Sequence, residues 1–183
     1  MTKSEIMISL KRYVHHKGEP QMTIAYSPAQ MSVTNAELHE LIRNRKPVSH
    51  LSFSEQVRIG QAQVSTPLNL KDCEFLQGFI LQEHLAHDVE FDGSRITGDC
   101  YFNNVSTTRA LSLVELETVR ATFHFDKLGI RPVEMADLMI SFKDRDSIPE
   151  LVTDNKVVMA MFNRLRENPT SIVSYQETKE EME

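Results

Sequence analysis

The stretch DCEFLQGFILQEHLAHDVEFDGSRITGDCYF, residues 72–102, decides the fold class of this chain. Its apolar residues come in pairs separated by one residue, such as Phe79 with Leu81 and Cys100 with Phe102. The pairs recur about every eleven positions. This spacing is not the 3.6-residue period of an amphipathic helix, and it is not an unbroken alternation. The pattern therefore indicates a short repeating unit.

The repeat extends on both sides of that stretch and covers residues 51–130. An apolar or small residue recurs at steps of five or six, so that every fourth one returns after about 22 positions. Four steps per turn would stack these repeat centres in four columns. The centres are Phe53, Ile59, Val64, Leu70, Phe75, Leu81, Ala86, Phe91, Ile96, Phe102, Thr107, Leu113, Val119, Phe125 and Ile130.

The columns formed in this way are almost entirely apolar. They contain Phe53, Phe75, Ile96 and Val119; Ile59, Leu81, Phe102 and Phe125; Val64, Ala86, Thr107 and Ile130; and Leu70, Phe91 and Leu113. A further inward stack, two positions before the second column, contains Val57, Phe79, Cys100 and Phe123. Stacked coils bury such residues in one continuous core, and each coil bonds its backbone to the next. The sequence therefore predicts a short β-helix of about four coils.

Three segments of the repeat resemble pentapeptide-repeat proteins: Asp-Cys-Glu-Phe at 72–75, Asp-Val-Glu-Phe at 88–91 and Gly-Asp-Cys-Tyr-Phe at 98–102. The resemblance covers less than half of the chain. It implies a right-handed, four-sided β-helix with Leu or Phe at each centre and a small residue two positions earlier. Four of these earlier positions are bulky, namely Leu68, Phe79, Leu111 and Phe123. We therefore expect a coil that is wider or less regular than a standard pentapeptide helix.

An antiparallel β-sandwich or barrel is the alternative fold. Its strands also alternate between apolar and polar residues, so it explains the pairs separated by one residue. It does not explain why every fourth repeat centre returns to the same apolar column. The expected class is therefore mainly β, with one amphipathic helix before the β-helix and two helices after it.

A short amphipathic helix is predicted over residues 34–46. Thr34 and Glu37 have the spacing of a capping box, and Val33 and Leu38 occupy the hydrophobic staple positions around it. The helix precedes the repeat, where an open end of a β-helix would expose unpaired backbone. We expect it to cover that end.

The domain organisation is expected to have three parts. Residues 1–47 form a β-hairpin and the capping helix, residues 48–131 form the β-helix, and residues 132–183 form a helical cap with a frayed acidic tail. The first C-terminal helix is predicted from Pro132 through Phe142. Together the parts are expected to make one compact unit.

The second C-terminal helix is predicted to open at residues 147–150 and to run past Leu165. Its apolar residues include Val158, Met161 and Phe162. They suit the covering of the second end of the coil. They also suit a homodimer interface through this helix.

The composition excludes several classes of function. The net charge of −6 leaves no excess of Lys and Arg with which to bind nucleic acid. No stretch approaches the roughly 18 apolar residues of a membrane span, and the N-terminus lacks the apolar segment of a signal peptide. We expect a cytoplasmic protein. Export by a route that needs no cleavable signal is the alternative. Cys73 and Cys100 are expected to be buried and reduced.

The first functional hypothesis is a non-catalytic scaffold that presents a rigid β-helical face to a protein partner. The residues expected to point outward and to contact that partner are Glu74, Glu90, Arg95, Tyr101, Asn103 and His124. His124 lies between two inward phenylalanines, so we expect it to face outward beside Tyr101 of the preceding coil. No cofactor is expected, and no motif of an enzyme is found.

The second hypothesis follows from the resemblance, because some pentapeptide-repeat proteins imitate duplex DNA and occupy topoisomerases. Such a protein needs a long acidic face. Basic residues interrupt the acidic ones here, namely Arg58, Lys71, Arg95, Arg109 and Arg120. The DNA-mimicking hypothesis therefore ranks second.

The third hypothesis is a sensor or enzyme that uses a metal or a cyclic nucleotide. His84, His87 and Asp88 are the densest group of metal ligands, but the coil directs His84 inward and His87 toward a corner. Residues 43–46 and 92–94 resemble the motifs of cyclic di-nucleotide-binding barrels. Leu41 and Thr97 stand where those motifs need Arg and Gly, and both forms of this hypothesis rank low. The sequence therefore predicts no metal site.

Overall fold

The computed structural model describes residues 31–60, 64, 66–107, 109–126, 129–130 and 137–183. The predicted hairpin and the predicted start of a helix at Pro132 lie outside these residues. The helices are α1 (Asn35–Arg43), α2 (Lys156–Glu167) and α3 (Tyr175–Met182). The strands are β1 (Met31–Val33), β2 (Leu51–Phe53), β3 (Val57–Ile59), β4 (Leu68–Asn69), β5 (Glu74–Phe75), β6 (Phe79–Leu85), β7 (Val89–Glu90), β8 (Arg95–Thr97), β9 (Cys100–Thr107), β10 (Leu111–Val119), β11 (Thr122–Asp126), β12 (Gly129–Ile130), β13 (Leu138–Phe142), β14 (Glu150–Thr153) and β15 (Val173–Ser174).

The strands form a β-solenoid of about four turns. Each strand pairs in parallel with the strand one turn later, as in the series β1-β2-β5-β8-β10 and the series β3-β6-β9-β11-β14. A third series runs β4-β7-β10-β13. Among the described strands, only β13 and β15 pair antiparallel. The expected fold class is confirmed, since an antiparallel sandwich has no such parallel stacking.

The register confirms the column built on Ile59. Ile59 pairs with Leu81, Leu81 with Phe102, and Phe102 with Phe125. All four side chains lie in the core. The inward stack beside them is also confirmed, and it includes Phe79.

Two columns differ from the prediction by one residue. Thr118, not Val119, lies opposite Ile96. Thr118 can lie in the core because its hydroxyl donates a hydrogen bond to the Ser147 carbonyl oxygen, at 2.7 Å. A search for apolar residues alone therefore selects the wrong neighbour.

The second difference concerns Leu85, which takes the inward place expected for Ala86. Leu85 pairs with Thr107, and the register between β6 and β9 shifts just before it. The corner of β6 uses one residue fewer than that of β9, and Glu83 adopts a left-handed φ of 69° there. As a result His84 points outward, and the inward orientation predicted for it is wrong.

One corner, unlike the corner within β6 and β9, stacks regularly over four successive turns. At this corner, the residues with a left-handed backbone are His50, Asp72, Gly93 and Glu115. Their φ angles lie between 54° and 70°. The chain changes direction at the same place in each turn, so the strands on either side keep their register.

Helix α1 covers the first edge of the solenoid. Its capping box at Thr34 and Glu37 is present, and Leu38 is buried in the core, as predicted. The Asn35 side chain donates to the Gln56 carbonyl oxygen at 2.6 Å and accepts from the Arg58 N–H at 3.0 Å. It therefore bonds the edge of β3 as a further strand would.

Asn35→Ala should lower the free energy of unfolding by about 1–2 kcal/mol, because two hydrogen bonds to the β3 edge are lost. Urea denaturation followed by circular dichroism measures the change. Glu40→Ala, at an exposed position of the same helix, is the control and should have little effect. An equal loss in both variants would show that helix propensity, not the capping of β3, decides the result.

Parallel pairing continues beyond residue 131, the expected end of the β-helix. Leu138–Phe142 is strand β13, paired with β10, so the helix predicted through this segment is wrong. Leu138 and Ile140 are buried and lie opposite Leu111 and Leu113. The decisive period here is two residues, not three to four.

The second half of this turn is strand β14, which pairs with β11. The helix expected from residue 147 begins only at Lys156, with the Asn155 side chain as its N-cap. The tail that we expected to fray contains α3. Among the described residues the number of helices is as predicted, but two of their positions are not.

The C-terminal end of the core is closed by α2. Its buried residues are Val158, Met161, Phe162 and Leu165. The Phe162 ring lies 6.0–6.5 Å from the rings of Phe123, Phe125 and Phe142, measured between ring centroids. The apolar residues of this helix therefore cover the end of the core, as predicted. No helix in the described part of the chain has the length and apolar content of a membrane span.

Candidate functional site

Two of the six predicted contact residues belong to a charge ladder on one face. Register places Ser52, Glu74, Arg95 and Glu117 in line across four strands. Arg95 lies 3.8 Å from the Glu74 carboxylate and 3.4 Å from that of Glu117. Lys143 extends the ladder, with its ammonium 3.0 Å from Glu117. Glu74 and Arg95 are therefore paired within the protein.

Glu90 belongs to a second ionic cluster. The Lys71 ammonium lies 3.0 Å from the Glu90 carboxylate and 3.6 Å from that of Asp92. The hydrogen bond to Glu90 is the main cause that raises the pKa of Lys71. The two carboxylates share one ammonium, so the cluster is ion-paired but keeps one negative charge in excess.

Tyr101, Asn103 and His124 lie together on a different face. The rings of Tyr101 and His124 are stacked, with centroids 4.5 Å apart and planes 12° from parallel. The predicted placement of His124 beside Tyr101 of the preceding turn is therefore confirmed. Burial and the Asp99 carboxylate raise the pKa of Tyr101, whose hydroxyl donates to Asp99 at 3.4 Å.

These three residues line a shallow groove of about 490 Å³, which we call the Tyr101 groove. The Nε2 atom of His124 is buried and has no hydrogen-bond partner among the described residues. Asp126 and Asp154 make no ion pair within the described chain. The lining residues are Tyr101, Asn103, His124, Phe125, Asp126, Val152, Thr153 and Asp154.

Val152, Thr153 and Asp154 were missed as site residues, since the sequence pattern assigned them to a helix. Thr153 pairs with Phe125 and Val152 with His124. The signal that indicates a strand here is an alternation of side chains. Leu151 and Thr153 are half-buried, and Val152 between them is exposed.

Two of the weak metal-ligand candidates bond to groups of a neighbouring turn. His84 Nδ1 lies 3.0 Å from the Ser106 hydroxyl, and the Asp88 carboxylate accepts the Ala110 N–H at 3.0 Å. No group of three or more ligating side chains able to hold a metal ion occurs among the described residues. His84 and Asp88 instead link one turn to the next.

The resemblance to cyclic di-nucleotide motifs also receives no support from the geometry. Ser94 is fully buried, donates its hydroxyl proton to the Leu70 carbonyl oxygen and accepts the Cys73 N–H. Asp92 accepts from the Ser112 hydroxyl and the Val114 N–H. These groups bond neighbouring turns and are not displayed to a ligand.

Both cysteines are buried and free, as predicted. Burial raises the pKa of Cys73 to about 11 and that of Cys100 further still. The thiolate is the reactive form of cysteine, so neither thiol should react readily at pH 8 in the folded protein.

A disulfide-exchange reagent such as DTNB should therefore modify almost no thiol of the native protein at pH 8. Two thiols per chain should react after unfolding in guanidinium. The absorbance of the released thiolate measures both. Rapid reaction of one native thiol would contradict the burial of that residue.

The comparisons with known proteins assign no family to this chain. No protein-family model, no curated protein and no solved structure matches it. A functional assignment must therefore depend on the residues of the groove and the ladders.

Proposed function

We propose that this protein is a non-catalytic scaffold that binds a protein partner through the Tyr101 groove. The observation that carries the proposal is the stacked, outward pair of Tyr101 and His124. Beside this pair lie Asp126 and Asp154, whose carboxylates make no ion pair with any described residue. Aromatic residues in a partly apolar, partly charged depression are typical of the centre of protein interfaces.

The groove is fixed before any partner arrives. Tyr101 and His124 project from β9 and β11, which are joined by a parallel ladder. Each ring is held by the other, so little side-chain entropy is lost when a partner covers them. A rigid surface of this kind favours binding over a reaction that needs moving groups.

The other predicted contacts, Glu74, Glu90 and Arg95, are weaker candidates. A partner that binds them must replace ion pairs that the protein already makes. Exposed pairs are worth only about 0–1 kcal/mol each, so the exchange yields little net affinity. These residues are better suited to selecting a partner than to holding one.

Site-specific photo-crosslinking in the native host tests the proposal. A benzoylphenylalanine at Asn103 or Val152 should give a discrete adduct with one protein. The same probe at Arg58, which is exposed on the same sheet at its other end, should not. Tyr101→Ala should abolish the adduct and Tyr101→Phe should retain it, because only the first removes the stack. Equal adducts from all positions, or none from the groove, would overturn the proposal.

We also infer that the repeat is a widened form of the pentapeptide-repeat helix. The bulky residues of the inward stack support this, since Phe79 packs face to face with Phe91 at 4.6 Å between centroids. The DNA-mimicking function is less favoured, because Lys71 and Arg95 interrupt the acidic residues and pair with them. A topoisomerase supercoiling assay tests it, and inhibition at micromolar protein would restore it.

The homodimer through the C-terminal helix is a separate proposal. Its support is Met159, which is exposed on α2, whereas Val158, Met161 and Phe162 are occupied in the core of the same chain. Sedimentation equilibrium measures the mass. A monomer at high concentration would exclude the dimer without affecting the Tyr101 groove.

A further inference from the structure

The solenoid ends differ in how their sheet edges are covered. At the first end, Asn35 and His39 of α1 bond the edge of β3. At the other end, β13 is covered by the antiparallel strand β15. In the described part of the chain, β14 pairs only with β11. Within those described residues, the last strand of the sheet that carries the Tyr101 groove is therefore an open edge.

The backbone of β14 has a defined orientation. Glu150 donates its N–H to the Ala121 carbonyl oxygen at 3.0 Å, so the backbone of Glu150 and Val152 faces β11. In a parallel ladder the alternate residues face the opposite way. The N–H and C=O groups of Leu151 and Thr153 therefore point away from the sheet, where another strand would bind.

Side chains at this edge favour a particular partner. Val152 is 53% exposed and lies in register with His124, so it extends the apolar floor of the Tyr101 groove. Glu150, Asp154 and Asp126 surround it without an ion pair to a described residue. Elsewhere on the solenoid the acidic ladder residues are paired with Lys or Arg. The edge is therefore complementary to a basic segment.

We propose that β14 binds an extended, basic segment of a partner protein as an added β-strand. The inference rests on the proposed scaffold function and specifies its partner. The added strand forms hydrogen bonds with the backbone of Leu151 and Thr153. It places an apolar side chain beside Val152 and a Lys or Arg beside Asp154. A second copy of this chain fits less well, because it would bring two sets of Glu150 and Asp154 together.

The length of β14 limits the contact. The strand has four residues, and Pro149 precedes it. Four residues span about 13 Å of extended chain. The segment therefore contributes a short strand, and its neighbouring side chains reach the Tyr101 groove.

Capped peptides of defined sequence test the proposal on the full chain. The first probe, called the Lys-Val probe, is the heptapeptide Thr-Lys-Thr-Val-Thr-Lys-Thr, whose Val and two Lys side chains share one face of an extended strand. The second probe replaces Lys by Glu, and the third carries N-methyl groups on alternate residues of the first. Fluorescence anisotropy should show binding of the first probe, weakened by salt, and at least about tenfold weaker binding of the other two. Equal binding of the first and third probes would overturn strand addition, because only hydrogen bonding distinguishes them.

Variants of the protein supply the second half of the test. Asp154→Lys should weaken binding of the Lys-Val probe about tenfold or more, since it reverses a charge at the edge. Glu167→Lys reverses an exposed charge on α2 outside the groove and should leave binding unchanged. Hydrogen exchange should show the Leu151 amide unprotected in the free chain and protected with the probe. Protection already present in the free chain would overturn the proposal, as would a dimer that Leu151→Pro dissociates.

The two proposals fail in different ways. If groove crosslinks form but the Leu151 amide gains no protection in the crosslinked complex, the scaffold stands and strand addition falls. If the Lys-Val probe protects Leu151 but no groove position crosslinks a partner, β14 can accept an added strand, but the scaffold proposal falls and with it the assignment of a partner protein.

Discussion

Phe102→Ala is expected to lower the free energy of unfolding by about 3–5 kcal/mol. Phe102 is 0% exposed and lies at the centre of the aromatic core. Its ring centroid is 4.1 Å from that of Phe125, 5.6 Å from Phe79 and 5.7 Å from Phe123. These rings belong to the turns before and after that of Phe102, and they cannot all move into the space. The variant should therefore contain a cavity in the middle of the solenoid.

Guanidinium denaturation, followed by far-ultraviolet circular dichroism, measures this loss. Phe102→Leu is the control and should lose less, about 1–2 kcal/mol, since it keeps most of the buried carbon. Each turn packs only on its neighbours. If the solenoid unfolds as one unit, Phe102→Ala should also speed the hydrogen exchange of amides two turns away. If the turns unfold separately, it should not. A loss under about 1 kcal/mol for Phe102→Ala would contradict the packing described.

The register of the solenoid was predictable from the sequence wherever apolar residues recur at a constant spacing. Ile59, Leu81 and Phe102 recur at a nearly constant spacing, and all three lie in register in the core. The same reasoning fails at Leu85, because one corner is shorter than the next. A backbone conformation such as the left-handed Glu83 has no clear signature in residue type. Columns are therefore predictable, and the lengths of corners are not.

The segment from Met135 to Phe142 shows why the last turn was misassigned. Leu138, Met139 and Phe142 fit helical spacing, while Leu138, Ile140 and Phe142 fit a strand equally well. Local pattern cannot decide between these. The pairing of Leu138 and Ile140 with β10 decides it, and that contact is a property of the whole fold.

Half of the Tyr101 groove follows from the sequence. Tyr101 and His124 are separated by one turn of the repeat, so their contact is predictable from the column spacing. The chain from His124 to Val152 is longer than one regular turn, although the two residues pair directly. The extra residues between them conceal the register, and the acidic edge at Asp154 was missed for the same reason.

Gly78→Ala is expected to cost on the order of 4 kcal/mol or more, the size of effect reserved for backbone strain and cavities. Gly78 has a φ of 67°, which costs an alanine about 1–2 kcal/mol. A methyl group there would also lie 2.0 Å from the Asp99 carbonyl oxygen and 2.7 Å from its carbonyl carbon. Both atoms are backbone of the next turn, so two turns must separate to admit it.

Gly93→Ala is the control for the first effect, the left-handed backbone, because Gly93 has a similar φ of 70°. Its added methyl group would meet the Asp72 Oδ1 atom at 2.5 Å, which is the end of a side chain and not backbone. This variant should lose only about 1–2 kcal/mol in the same guanidinium experiment. The difference between the two variants measures how tightly the turns approach at Gly78. If both lose the same amount, left-handed backbone alone explains the glycines, and the close approach of the turns does not contribute.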